Sequence, residues 1–130
     1  PIYAGFHPYF KTNNKHIAYD TDATKYYDYN DGKEKEFTGS IDITNFKEAV
    51  VLLDAKQNHI SFEQPTIQKR VKLSYDSSFK YVVLWTEADQ DFICVEPWMA
   101  KNGELSRKEE LVIIDKNNSH HATFSIQVEE

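Results

Sequence analysis

Residues 81–98 read Tyr-Val-Val-Leu-Trp-Thr-Glu-Ala-Asp-Gln-Asp-Phe-Ile-Cys-Val-Glu-Pro-Trp, which is two apolar runs separated by a polar turn. Both runs have the length of a strand, and β-branched and aromatic residues dominate them. Residues 111–114, Leu-Val-Ile-Ile, have the same character. Continuous apolar runs of this kind are typical of strands that are covered on both faces. The sequence therefore predicts three strands in the interior of a sheet.

Other segments alternate between apolar and polar residues, as strands with one buried face do. Residues 60–63 and 70–74 show this alternation, and turn-forming residues recur about every ten positions along the chain. The clearest alternation lies in residues 122–128, with the apolar residues Ala122, Phe124, Ile126 and Val128. Many short strands at regular spacing predict an all-β protein with an antiparallel β-sandwich.

One segment fits two structures. Phe46, Ala49, Val50 and Leu53 are spaced as on one face of a helix, and Asn45 before them is a suitable N-cap. This periodicity indicates a short helix. A strand or an irregular turn is the alternative, and both stay open.

The composition is that of a single domain covering residues 1–130. A formal net charge of -6 and a pI near 5.3 argue against nucleic acid and anionic membranes as partners. No apolar run approaches the roughly 20 residues of a membrane-spanning helix. The single cysteine, Cys94, cannot form an intrachain disulfide, which is typical of a reducing compartment. A single cysteine also excludes a thiolate zinc site, and we therefore predict a cytoplasmic protein without a metal ion.

His7 stands in an unusual environment for a titratable side chain. It lies in the segment Gly5-Phe6-His7-Pro8-Tyr9-Phe10, among three aromatic residues. Pro8 restricts the backbone of His7 to an extended conformation and so fixes the direction of the imidazole. One interpretation is a catalytic group, and the other is a core histidine held by a backbone carbonyl.

Glu96 ends a hydrophobic strand, which is a costly place for a carboxylate. By two-residue alternation it shares a face with Phe92 and Cys94. Burial raises the pKa of a carboxyl group, which is how proteins bring a glutamate into the range of a general base. Pro97 ends the backbone ladder, so Glu96 is expected at the rim of the sheet. The alternative is a strand-end glutamate paired with a lysine or an arginine.

These two motifs together resemble a known family. Gly-Phe-His-Pro-Tyr-Phe at residues 5–10 and Glu-Pro-Trp at residues 96–98 are similar to motifs in the C-terminal half of aldose 1-epimerase (galactose mutarotase)-like proteins. The similarity runs over essentially the whole chain. It implies a galactose mutarotase-like supersandwich of which residues 1–130 are the C-terminal part, because the family's N-terminal half is missing.

The resemblance also implies an activity, the cofactor-free interconversion of the α and β anomers of a hexose, with or without a phosphate group. Glu96 would be the general base at the anomeric hydroxyl, and His7 the general acid at the ring oxygen. Tyr9 and Trp98 would supply an aromatic platform for the sugar. Glu48 is the nearest match to the acidic substrate-binding residue of the family.

Two alternatives to an enzyme remain open at this stage. A sugar-binding module without catalysis would share the sandwich, the acidic charge and the aromatic platform. A structural half-domain would pair its sheet edges with a missing N-terminal half or with a second copy of itself. Only the enzyme requires His7 and Glu96 to converge.

Overall fold

The computed structural model describes residues 1–129, and these residues form two antiparallel β-sheets. The six-stranded sheet has the order β1-β10-β9-β6-β3-β4, and the five-stranded sheet has the order β11-β8-β7-β2-β5. The elements are β1 (Tyr9–Lys11), β2 (His16–Asp20), β3 (Lys25–Asp28), β4 (Lys33–Glu36), β5 (Ser40–Asp42), β6 (Val50–Leu52), β7 (His59–Gln64), β8 (Lys69–Tyr75), β9 (Tyr81–Trp85), β10 (Phe92–Trp98), α1 (Glu104–Arg107) and β11 (Phe124–Glu129). The predicted all-β antiparallel sandwich is confirmed.

The hydrophobic core lies between the two sheets. Its position explains why core-facing and outward-facing residues alternate along a strand. From β10, Ile93 and Val95 point into the core, and from the five-stranded sheet Phe62 and Leu73 meet them there. Each of these four side chains is fully buried. Burial of an aliphatic or aromatic side chain of this size stabilises a fold by about 1.5–3 kcal/mol. The residues that alternate with Ile93 and Val95 along β10 therefore point to the opposite face of the six-stranded sheet.

Two of the three predicted interior strands are confirmed. In the six-stranded sheet, β9 and β10 pair with each other through five residue pairs, and each has a further strand on its other side. The prediction for residues 111–114 is wrong. Only Val112 pairs, in an isolated bridge with Ile2, and Ile113 is 67% exposed. An apolar run favours a strand, but a strand also requires a partner strand along its length. Within residues 1–129 this segment has no such partner strand.

The strictly alternating segment forms a strand, but its burial differs from the prediction. β11 pairs with β8 over six residues at the edge of the five-stranded sheet. Ile126 is 47% exposed and Val128 is 51% exposed, so the expected buried face is open. Alternation shows that a strand has an apolar face, and other parts of a structure decide what covers it.

The ambiguous segment around residue 50 contains no helix. Val50, Val51 and Leu52 form β6, which is fully buried between β9 and β3. A strand buried on both faces is continuously apolar, and such a run can match helical spacing by chance. No helix of residues 1–129 is long and apolar enough to span a membrane.

Candidate functional site

The side chains of β10 that point away from the core begin the candidate site. These are Phe92, Cys94, Glu96 and Trp98. Glu96 is only 1% exposed, although it faces away from the core. The prediction that Pro97 ends the ladder is wrong, because β10 continues through Pro97 to Trp98 and pairs there with β9. A segment that includes the N-terminal histidine motif covers Glu96.

This N-terminal segment runs antiparallel to β10 and brings His7 opposite Glu96. Tyr9 pairs with Cys94, and Gly5 forms a bridge with Trp98. The two pairings lie on either side of His7 and Glu96, so these residues face each other across neighbouring segments. Pro8 interrupts the strand between the pairings, and the predicted convergence of the two motifs therefore follows from the strand register.

Both carboxyl oxygens of Glu96 have a polar neighbour. Nε2 of His7 lies 3.4 Å from Oε1, and the indole Nε1–H of Trp98 donates a hydrogen bond to Oε2 at 3.0 Å. The His7 side chain is 50% exposed, so the pair opens to solvent on the histidine side. Neither a lysine nor an arginine forms an ion pair with Glu96 within residues 1–129. The interpretation of Glu96 as half of a structural ion pair with such a residue is therefore wrong for this part of the chain.

The environment of Glu96 favours its protonated form. Burial raises the pKa of Glu96 to about 7, while the hydrogen bond from Trp98 acts in the opposite direction. The same setting acts on its neighbour, because burial and the negative charge of Glu96 raise the pKa of the Cys94 thiol to about 12. The site therefore contains a carboxyl group that titrates near neutral pH beside a thiol that stays protonated there.

A cavity of about 200 Å³ lies over this pair. Its walls contain four of the five residues that the sequence resemblance nominated, and only Tyr9 is outside them. The lining residues are His7, Glu48, Ala49, Val83, Trp85, Glu96 and Trp98. The cavity brings a carboxyl group, an imidazole, a second carboxylate and two indoles to one volume of the size of a small molecule.

Tyr9 supports the site without lining the cavity. Its ring stacks on the His7 imidazole, with centroids 4.8 Å apart and an angle of 14° between the planes. It also packs against Phe92 at 4.8 Å, and it is 57% exposed. Stacking of this kind restricts the imidazole to one orientation.

The structure adds two residues that the sequence reasoning did not nominate. Trp85 lines the cavity and meets the His7 ring edge-on at 5.7 Å. The pairing of Trp85 with Cys94 brings it to the face of the site, and this pairing is visible only in the structure. Asn30 holds the segment that carries Glu48, since its Oδ1 accepts the backbone N–H groups of Lys47 and Glu48 at 2.9 Å each.

One group of donors in the described part of the chain has a spacing suitable for a metal ion. His7, Cys94 and Glu96 each offer one ligand atom, and these atoms lie within 4.8 Å of one another. A metal would need the Cys94 thiolate, and the raised pKa of this thiol opposes its formation. The same donors include the two groups suited to proton transfer.

A buried carboxyl group that meets an imidazole in a cavity on the face of a β-sheet defines a candidate acid–base site. No protein-family model and no curated protein sequence matches the chain. Solved structures do match it. The Slr1438 protein of Synechocystis sp. PCC 6803 has 27% sequence identity and a TM-score of 0.89, over 98% of this chain and 44% of its own.

Two further solved structures carry functional names. A proposed mutarotase (YeaD) from Salmonella typhimurium has 19% identity and a TM-score of 0.61, over 76% of this chain and 38% of its own. A proposed aldose 1-epimerase from Escherichia coli K12 has 17% identity and a TM-score of 0.69, over 99% of this chain and 50% of its own. The chain therefore has the fold of mutarotase-like β-sandwiches, and the resemblance expected from the motifs is confirmed for the fold. The chain spans at most half the length of these three proteins.

Proposed function

We propose that this chain belongs to an aldose 1-epimerase-like isomerase that interconverts the α and β anomers of a hexose. The observation that carries the proposal is the 3.4 Å approach of His7 Nε2 to Glu96 Oε1 in a shared cavity. The mutarotase-like fold supports it. Two groups that can exchange protons at neighbouring oxygen atoms are what the opening of a hemiacetal ring requires.

The chemistry balances with these two groups alone. Glu96 removes the proton of the anomeric hydroxyl, and protonated His7 donates a proton to the ring oxygen as the bond between C1 and that oxygen breaks. Rotation about the C1–C2 bond of the open-chain aldehyde presents the other face of the carbonyl. Reclosure returns both protons and gives the opposite anomer. Each positioned acid or base contributes about 10²–10⁴-fold to such a reaction.

The electrostatics of Glu96 suit a general base at neutral pH. With a pKa raised to about 7, a substantial fraction of Glu96 is ionised at that pH, and the carboxylate is a stronger base than an exposed one. Trp98 and Trp85 provide flat apolar faces in the same cavity, which suit the C–H face of a pyranose. Glu48 lines the same cavity, and in this proposal it binds sugar hydroxyls.

A second candidate function is a half-domain that binds a sugar or a partner without turnover. It is favoured because the chain covers only 38% of one of the two neighbours with functional names and 50% of the other. We propose that residues 1–130 are the C-terminal part of a larger domain, and that an N-terminal half or a second copy completes the cavity. The isolated chain is then inactive or weakly active. A cytoplasmic location, the choice of hexose and its phosphorylation stay predictions.

Anomer exchange of glucose and galactose, followed by polarimetry and by NMR exchange spectroscopy, tests the proposal. The isolated chain and the full gene product are compared, each with its Glu96→Gln and His7→Asn variants. We expect exchange by the full gene product and a loss of about 10²–10⁴-fold in either variant. Glu36→Gln, which removes an exposed carboxylate on β4, serves as the matched control. Sugar-dependent NMR shifts without exchange would support the binding module instead, and full activity of the isolated chain would contradict the half-domain proposal.

A further inference from the structure

A second cavity opens on the same face of the six-stranded sheet as the candidate site. It has a volume of about 250 Å³ and is formed by β3, β4 and the segment around α1. The polar and aromatic residues in its lining are Tyr27, Tyr29, Glu34, Lys101, Asn102 and Arg107. None of these residues takes part in the proposed acid–base reaction.

The strand register shows how this second cavity relates to Glu96. Glu96 pairs with Val83, Val83 with Val51, and Val51 with Tyr27. Paired residues of antiparallel strands project from the same face of a sheet. Glu96 and Tyr27 thus belong to one row across four strands, and three strand spacings of about 4.8 Å separate them by roughly 14 Å.

The two cavities also adjoin each other directly. Ala49 lines the first cavity and Tyr29 lines the second. The backbone N–H of Tyr29 donates a hydrogen bond to the carbonyl oxygen of Ala49 at 3.1 Å. A molecule that is longer than one hexose can therefore extend from the first cavity into the second along the sheet face.

The chemistry of the second cavity suits a neutral sugar. Tyr27 and Tyr29 are partly exposed and meet edge-on, with centroids 4.9 Å apart and planes at 71°. Asn102 lies in the same lining as these two rings and offers its amide for hydrogen bonds. Aromatic faces surrounded by hydrogen-bonding groups are what a pyranose, with its apolar C–H faces and its hydroxyl rim, requires.

The charges of the second cavity argue against an anionic group. Arg107 is surrounded by the carboxylates of Glu104, Glu109 and Glu110 at 3.3, 3.1 and 3.9 Å. Glu34, whose Oε1 lies 3.8 Å from Nζ of Lys25, is a further carboxylate of the lining. Lys101 lies 5.8 Å from the ring centroid of Tyr81 and is the remaining cation of the lining. A phosphate group would meet one lysine among several carboxylates, which is an unfavourable field.

We propose that the second cavity is a subsite for the sugar rings that follow the reducing-end hexose of an oligosaccharide. This inference rests on the proposed function, since it places the reducing-end ring between His7 and Glu96. A single pyranose is too short to contact both Glu96 and Tyr27, whereas two or three linked rings span this distance. The substrate class is then a reducing oligosaccharide, and a free hexose occupies only the first cavity.

The test compares substrates in the full gene product and its Tyr27→Ala and Tyr27→Phe variants. Values of kcat/KM for anomer exchange are measured by NMR for glucose, maltotriose, cellotriose and glucose 6-phosphate. We expect at least one trisaccharide to exceed glucose in kcat/KM. Loss of an aromatic contact is expected to reduce this ratio by about three- to tenfold in Tyr27→Ala, mainly through KM, whereas Tyr27→Phe retains the stacking face and the ratio.

Several outcomes would overturn the inference. Equal kcat/KM for glucose and both trisaccharides would exclude a subsite, as would equal losses for glucose and trisaccharides in Tyr27→Ala. Preference for glucose 6-phosphate that is abolished by Lys101→Gln would assign the cavity to an anionic group. If no sugar exchanges, the proposed function fails, and titration of the trisaccharides by NMR then decides the subsite alone. Binding that Tyr27→Ala weakens would support the subsite, and no binding or binding insensitive to that change would overturn it.

Discussion

The indole Nε1–H of Trp98 donates a hydrogen bond to Oε2 of Glu96 at 3.0 Å, from a position two residues further along the same face of β10. This bond leaves Oε1 as the oxygen that faces His7. It stabilises the carboxylate form of Glu96, whereas burial stabilises the protonated form. The pKa of Glu96 therefore depends on two opposing effects, the burial that raises it and the hydrogen bond from Trp98 that lowers it.

Replacement of Trp98 should move this balance in a known direction. Trp98→Phe removes the donor but keeps an aromatic ring, so the pKa of Glu96 should rise further above its ordinary value. Loss of one hydrogen bond to a charged group corresponds to a shift of roughly one pH unit. Because the proposed reaction uses the carboxylate, the acid limb of the pH–rate profile for anomer exchange should move to higher pH. A limb at unchanged or lower pH would contradict this role, whatever happens to the absolute rate.

The raised pKa of Glu96 should also make stability depend on pH. The folded protein holds the Glu96 proton up to a pH of about 7, while the unfolded chain releases it near 4.5. The stabilisation that this proton provides is full below the unfolded pKa and is lost as the pH rises through about 7. The free energy of unfolding of the unchanged protein should therefore fall between pH 4.5 and pH 8 by about 2–3 kcal/mol more than that of Glu96→Gln, whose side chain is always neutral.

Urea denaturation at these two pH values measures that difference. Glu36→Gln is the control, because its carboxylate is exposed at the end of β4. The control should show a much smaller change between the two pH values. A difference between Glu96→Gln and the unchanged protein that is the same at both pH values would show that burial does not disfavour the charged form of Glu96.

The convergence of His7 and Glu96 was expected from the resemblance of the two motifs to a known family. Local patterns gave less: Pro8 restricts the backbone of His7, and two-residue alternation fixes the face on which Glu96 lies, but neither shows that the two segments pair. The burial of residues 111–114 and of β11 was not predictable, because it depends on which distant segments cover them. Asn30 escaped notice for the same reason, since its contacts with residues 47 and 48 connect two separate turns.

Gly5 is expected to be required for the position of Trp98. A Cβ atom at residue 5 would lie 2.6 Å from Cδ1 of Trp98, which is shorter than any ordinary contact between carbon atoms. Gly5→Ala should therefore displace the indole and weaken its hydrogen bond to Glu96. The tryptophan near-UV circular dichroism should change, and the acid limb of the pH–rate profile should move in the same direction as in Trp98→Phe.

A double-variant cycle separates this clash from a general loss of stability. In Trp98→Phe the ring is smaller, so the added methyl group of Gly5→Ala has more room. The free-energy cost of the double variant should be less than the sum of the two single costs, by at least about 0.5 kcal/mol. Strict additivity would mean that residue 5 acts on stability by a route other than Trp98.

Asn30 is expected to position Glu48 for binding without taking part in proton transfer. Besides accepting two backbone N–H groups, it donates through Nδ2 to the carbonyl oxygen of Glu48 at 3.0 Å and to Oδ1 of Asp28 at 2.8 Å. Asn30→Ala removes all of these bonds, and because most are exposed, water replaces them in part. The free energy of unfolding should fall by about 1–2 kcal/mol, and the Glu48 segment should lose its fixed position.

The kinetic signature distinguishes positioning from a general structural defect. In Asn30→Ala the KM for sugar should rise by roughly three- to tenfold, as expected for the loss of one polar contact, while kcat changes less. Asn118→Ala is the matched control, because Asn118 is exposed in a turn between residues 115 and 118. Its KM should remain unchanged. A fall in kcat at constant KM in Asn30→Ala would instead connect the Glu48 segment to the chemical step, since only an interaction made in the transition state lowers kcat alone.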